Sequence, residues 1–505
     1  MRTTILCLIL TMFSGIASAI EPTVQILDDC YIEVAPPEGI DFDCGRLVVP
    51  EFHETDNGRA GSIPFIRFKS PGGSSAAPLF KTHGGPGGSE LQFVASQIHM
   101  ELHKPILQAR DVVLFNQRGS MFAEPWLTCT DENASARRTI ITDQLHSTER
   151  RTALNAAIQA CYDRFTTHGI DFDAFNSLQI AADVNALRVA LGYDTIIFHG
   201  SSYGTILAQH MTREYPETLE GVILDGSLGL EEQSSWVEKN IVIRTEFWDL
   251  VFAECATVSG CADSFPDLSA DFETLVTRYA AQPFILDYGD IQIAVDDLRL
   301  IEILQSWATT AGSLRAEQVP LIINSLANSQ DTAFITTIMK ALFPLDSFRD
   351  LGDGPSAAMA HYAIACSEDP VTGLDNVLND GLFPAYAVSS GLDDAANYDF
   401  ACPLLNVPAL PEAARANVPT EIPVLFMNGQ LDNATVPSWN HNLMDFYGHE
   451  FAFTFPLSHH VQYYKLPTQP CGAMVLTQFI NAPTIEPDGS CISSLPMEYE
   501  YVLPQ

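Results

Sequence analysis

The sequence predicts an α/β fold: a mostly parallel sheet flanked by helices, with a helical cap inserted between two core strands. Three observations carry this expectation. Short apolar, β-branched runs alternate with helical patterns up to about residue 228, and that alternation implies parallel strands joined by crossover helices. The rhythm breaks over 229–404, which reads mainly as helix, and returns at Ile422–Met427 and Glu450–Phe455. Ile196–Leu207 reads IIFHGSSYGTIL, a strand that turns sharply into a helix through a Gly-x-Ser-x-Gly pentapeptide.

At 505 residues, with 47% apolar side chains, the chain is long enough for two or more lobes. Residues 1–19 stand apart as a signal peptide. Arg2 supplies the positive start, Ile5–Phe13 an apolar run too short to span a bilayer, and Ala17-Ser18-Ala19 a small-residue cleavage site. The expected location is therefore secreted or periplasmic. No later run is long and apolar enough to span a membrane. Of 11 cysteines, Cys7 would leave with the leader, and the remaining ten suit disulfides in an oxidising compartment. Proximity in sequence suggests Cys30–Cys44, Cys129–Cys161, Cys255–Cys261, Cys366–Cys402 and Cys471–Cys491. No Cys/His cluster has zinc spacing, so no metal site is expected. The 25 basic and 63 acidic residues give a net charge of −38, which argues against nucleic-acid and anionic-membrane partners.

Taken in order, the mature chain opens with strand-like runs Gly45–Val49 and Ser62–Lys69, separated by the turn signal Asp56-Asn57-Gly58. This is an expected β-hairpin. A strand over Pro78–Thr82 runs into His83-Gly84-Gly85-Pro86-Gly87-Gly88, where glycines let backbone N–H groups approach a developing oxyanion. Asp111–Asn116 is a buried-type strand, followed by Gln117-Arg118-Gly119-Ser120, with Arg118 read as a brace for the loops. Helices are expected over Ser147–Phe165 and Leu178–Leu191, the second stopped by Gly192. The pentapeptide strand and then Leu219–Leu224 complete the first part of the core, 20–228. Within the cap, helices are expected over Trp236–Glu254, Asp271–Ala281, Asp297–Thr309, Ala316–Leu326 and Thr332–Leu342. Residues 405–505 form the C-terminal part of the core.

The pentapeptide has the spacing of a nucleophile elbow. Ser202 must sit at the apex of a turn too tight for side chains two residues away, and Gly200 and Gly204 meet that need. The helix that follows points its positive end at the site. The returning strands bring the other two partners. Asp432 lies just past the first, where a carboxylate can orient an imidazole, and His459 and His460 follow the second. Asn433-Ala434-Thr435 is also a glycosylation sequon, and a glycan there would crowd Asp432.

HGGPGGS, NQRGS, AADVNALRVALGY, GSSYGT and GQLDNATVP with a late histidine resemble the proline-iminopeptidase and tripeptidyl-aminopeptidase group of α/β-hydrolases, in particular its exported tripeptidyl-aminopeptidase-like branch. The resemblance covers nearly the whole mature chain, and the cap only loosely. It implies a serine exopeptidase acting on free peptide N-termini, with no cofactor. Ser202 is then the nucleophile, Asp432 the orienting acid, and Gly85 and Tyr203 the oxyanion donors. In the group a proline often precedes the histidine by four positions. Pro456 on that basis selects His460, with His459 as the alternate. The group commonly has Asp where this chain has Asn116. An aminopeptidase also needs a carboxylate for the substrate ammonium. Ala365-Cys366-Ser367-Glu368-Asp369-Pro370 offers Glu368, with Asp369 in reserve. An esterase or amidase would use the same triad, since fold and triad do not fix the leaving group. A non-catalytic binding protein on this scaffold is disfavoured by the intact constellation.

Overall fold

The computed structural model describes residues 20–55, 57–93, 103–145, 147–231, 236–289, 291–309, 315–348, 356–463 and 470–504. The expected signal peptide, 1–19, lies outside the described residues, as does Asp56 of the hairpin turn.

The strands are β1 (Thr23–Ile26), β2 (Asp41–Pro50), β3 (Ala60–Lys69), β4 (Leu79–Thr82), β5 (Val112–Phe115), β6 (Ile196–Ser201), β7 (Leu219–Asp225), β8 (Phe284–Asp287), β9 (Gln292–Val295), β10 (Val424–Gly429) and β11 (Glu450–Phe455). Nine of them form one sheet in the order β1-β2-β3-β5-β4-β6-β7-β10-β11. The first three are antiparallel, and every pairing from β5 to β11 is parallel. The hairpin is present and longer than expected, pairing Asp41 with Lys69 and Pro50 with Ala60. Its polar end stays in the ladder because Asp43 pairs with both Arg67 and Lys69 across the strands.

Strands β4, β5, β6 and β10 are buried along their whole length, as parallel strands covered on both faces must be. Alternate residues feed two cores. Phe80, Phe115, Phe198, Leu224 and Phe426 pack on one face against the helices Ser177–Ala190 and Gly204–Glu214. Leu79, Leu114, Ile197, Ile223 and Leu425 pack on the other, against the helices His103–Ala109 and Pro470–Asn481.

Between β7 and β10 the described chain is mainly helical. The five expected helices run Trp236–Thr257, Leu268–Ala281, Asp297–Ala308, Arg315–Asn328 and Thr332–Leu342. Three more are Ser259–Ser264, Ala358–Glu368 and Ala385–Leu405, and β8 pairs with β9 in a small antiparallel ribbon. This lobe has its own core around Trp248, Phe272, Leu300 and Ile323. All five expected disulfides are formed. Cys366–Cys402 ties Ala358–Glu368 to Ala385–Leu405. Among the described residues no helix is long and apolar enough to cross a membrane.

Candidate active site

The turn after β6 is built to one purpose. Ser202 has φ 57°, a left-handed conformation that a side chain adopts only when its surroundings force it. A Cβ on Gly200 would stand 2.0 Å from the Gly204 carbonyl oxygen, so the turn closes only around glycine. The Ser202 N–H donates to the Asp225 carbonyl at 2.9 Å, and the Ser202 carbonyl accepts from the N–H and hydroxyl of Thr205. The side chain is thus fixed at the mouth of the helix Gly204–Glu214.

The glycine loop after β4 crosses this elbow. A Cβ on Gly84 would lie 2.5 Å from Ser202 Cβ and 2.8 Å from Tyr203 N. Gly85 lines the same cavity as Ser202 and Tyr203. Asn116 anchors the loop's far end. Its amide oxygen accepts from the N–H groups of Glu90 and Leu91, and its nitrogen donates to Ser89 Oγ and the Met121 carbonyl. An aspartate could not make the two donations, which gives the departure at Asn116 a local reason. Arg118 forks onto both oxygens of Asp183 and reaches the carbonyls of Glu51 and Ala174, the bracing role expected of it.

Asp432, just past β10, is fully buried and accepts from the N–H groups of Ala434 and Thr435 and from the Thr435 hydroxyl. His460 Nδ1 lies 3.0 and 2.9 Å from its two oxygens. Burial pushes the Asp432 pKa up. The His460 imidazole and the backbone N–H groups outweigh that and hold it below the usual carboxylate range. The ring of His460 rests on Gly226, where a Cβ would stand 3.0 Å from His460 Cε1. Imidazole and serine therefore flank one dipeptide, Asp225-Gly226. His459 is turned elsewhere. It is 2% exposed, with Nδ1 3.1 Å from the Leu431 carbonyl and Nε2 3.2 Å from the Tyr499 hydroxyl.

Two contributors escaped the sequence reading. Thr435 holds Asp432 through its hydroxyl and its N–H. The Asp225 carboxylate accepts from the N–H groups of Gln462 and Tyr463 at 2.6 and 2.8 Å, while its carbonyl takes the Ser202 N–H. Asp225 so fastens the histidine loop to the elbow. A strand ending in Asp-Gly at the sheet's carboxyl edge was the available signal.

The cap acids sit behind the elbow. Glu368 is buried and bonded to the Ser177 hydroxyl, which also contacts the Tyr203 hydroxyl. Burial drives its pKa well above the ordinary carboxylate value, with Lys239 opposing. Asp369 is also buried. Neither acid is among the described residues lining the cavity of about 200 Å³ beside Ser202. That cavity is lined from the core by Gly85, Ser202, Tyr203 and Trp439 and from the helical lobe by Lys239 and Arg244.

Residues 78–262 match the family model described as alpha/beta hydrolase fold, and residues 389–491 match the model of the TAP-like protein family. The chain has an α/β-hydrolase fold, and its C-terminal part is similar to the TAP-like proteins. Serine protease Hip1 of Mycobacterium tuberculosis is 27% identical over 226 residues, 43% of this chain and 42% of Hip1. The tripeptidyl aminopeptidase of Streptomyces lividans is 24% identical over 221 residues, 42% of this chain and 40% of that protein. The matched region thus spans less than half the length of these relatives. Among solved structures, proline iminopeptidase of Mycobacterium smegmatis aligns with a TM-score of 0.39 at 15% identity, covering 89% of this chain and 97% of the other.

Proposed function

We propose that this protein is an exported serine peptidase that releases short peptides or single residues from free peptide N-termini. The observation that carries this reading is the Asp432–His460 pair resting on Asp225-Gly226, the dipeptide that also holds the Ser202 backbone. Ser202 Oγ attacks the scissile carbonyl carbon while His460 Nε2 takes its proton. The oxyanion accepts from the N–H groups of Tyr203 and Gly85. On collapse the C–N bond breaks, and His460 returns the proton to the leaving amine. Water then attacks the acyl-enzyme by the same route, releasing the acid and restoring Ser202. Asp432 holds the Nδ1–H tautomer throughout. The relatives named serine protease and tripeptidyl aminopeptidase favour an amide substrate over an ester. Export is supported by the five disulfides and by the leader-like residues 1–19.

Glu368 is the acid we assign to the substrate ammonium. It is bonded to the Ser177 hydroxyl, which also contacts the Tyr203 hydroxyl, and the Lys239 ammonium acts on its charge. Burial favours its neutral form and it stands behind the described cavity lining, so it takes this role by ionising as the substrate ammonium approaches, a nearby cation favouring the charged form. Asp369 is its reserve.

The test is a pair of chromogenic peptides, one with a free and one with an acetylated N-terminus. The free form should be hydrolysed faster, and Ser202→Ala should reduce turnover on the order of a millionfold while remaining folded. Glu368→Gln should raise KM for the free form and narrow its lead. Equal rates for the two peptides would remove the exopeptidase reading. Hydrolysis of esters without any amide cleavage would replace it with an esterase.

A further inference from the structure

The cavity beside Ser202 has a charge opposite to that of the protein. Acidic residues outnumber basic ones 63 to 25 along the chain. Yet the described residues lining this cavity include Lys239 and Arg244 and no Asp or Glu. Lys239, Asn240, Ile243 and Arg244 share one face of the helix Trp236–Thr257 and present it to the nucleophile. Gln305 and Asn433 add side-chain amides across from them. Leu228, Ile206 and Trp439 are the cavity's apolar members, and the Lys239 ammonium lies 6.0 Å from the centre of the Trp439 ring.

Arg244 is the informative member. Its Nε donates to Ser390 Oγ at 3.2 Å. Among the described residues its other guanidinium nitrogens make no hydrogen bond and no ion pair. Two acids lie near it, Asp394 and Glu302, and their charges oppose the effect of burial on the guanidinium. They steady the cation without capping its fork. Such a half-buried, undercommitted guanidinium fits a planar two-oxygen acceptor, because its donors match a carboxylate in pairs.

We propose that this cavity binds a carboxylate of the substrate, with Arg244 as its anchor. The inference rests on the peptidase reading above and narrows it to peptides with an acidic group close to the scissile bond. Two sources carry that chemistry: a Glu or Asp side chain, or the free C-terminal carboxylate of a very short peptide. In either case the carboxylate seats on Arg244 while the scissile carbonyl lies over Ser202, so the preference appears in kcat/KM.

Matched peptides separate these cases. One set places Glu, Gln or Lys at each residue flanking the scissile bond, and a second compares free with amidated C-termini. Wild-type enzyme should favour the carboxylate member of one pair by about tenfold or more, and which pair shows it names the source. Arg244→Gln should bring that ratio close to one, and Arg244→Glu should turn it toward the Lys-containing analogue. Arg244→Lys, which keeps a cation near Asp394, should retain part of the preference, guarding against a folding artefact. A ratio near one in the wild type, or a preference unchanged in Arg244→Gln, overturns the carboxylate site while leaving the peptidase reading standing. Absence of cleavage for every peptide overturns both.

Discussion

His459 and His460 are chain neighbours with different company. His460 faces Asp432, and its ring lies against Gly226. His459 spends both ring nitrogens on the Leu431 carbonyl and the Tyr499 hydroxyl. The two substitutions should therefore fail differently. His460→Ala is expected to lose turnover on the order of a millionfold with little change in melting temperature. His459→Ala is expected to keep most of its turnover and to melt several degrees lower, since two buried hydrogen bonds disappear. Parallel kinetics and melts decide it, and the opposite ranking would make His459 the base. At this scale the sequence was informative about kind and order: serine, acid and histidine each followed a strand. It could not separate the two histidines by residue type, and only the proline spacing pointed at His460. Asp225 and Thr435 stayed hidden because their contacts depend on how three loops meet, which no local pattern records.

Elements of the core were the most legible. Runs such as Val424–Gly429 and Glu450–Phe455 combine β-branched and aromatic residues at strand length. The helices Ala358–Glu368 and Ala385–Leu405 were not foreseen as separate units. The second contains Gly391 and Pro403, which read as breakers. It survives because Tyr386 and Ala387 pack into the lobe's core, Ala401 and Leu405 into a second cluster, and Cys402 bonds Cys366. That bridge closes a long loop, with a sequence separation of 36. Replacing Cys366 and Cys402 together by Ala should cost about 4 kcal/mol of stability on the chain-entropy account. Denaturant titration of wild type and the double variant measures this. A difference well under 1 kcal/mol would mean that packing between the two helices already supplies the constraint.

For the molecule as a whole, acid should be a sharper threat than alkali at one position. His210 is 1% exposed, on the helix behind the elbow, and neither ring nitrogen finds a hydrogen bond among the described residues. Burial, helped by Arg213, pulls its pKa down to about 3. The unfolded chain takes up this proton near pH 6.5 and the folded chain only near pH 3, so the unfolded state binds more protons in between. Stability from this site is complete above about pH 6.5 and falls as pH drops toward 3. The loss across that window is on the order of 5 kcal/mol. His210→Leu should shed most of it, so the gap in unfolding free energy between wild type and variant should change with pH. A gap constant from pH 7 to pH 3 would show that His210 meets water or a partner before the chain unfolds.

The sheet order also governs when the molecule becomes complete. β7 must wait for its neighbour β10, and roughly two hundred residues of helical lobe lie between them. A chain that is exported amino end first thus presents β7 as an open edge as it folds, with Ser202 already delivered and Asp432 and His460 still to come. The unfinished protein is exposed to mispairing during that interval, and it lacks two residues of the proposed triad. The proposed triad is therefore completed last, when the segment 424–463 docks on the finished first half of the sheet.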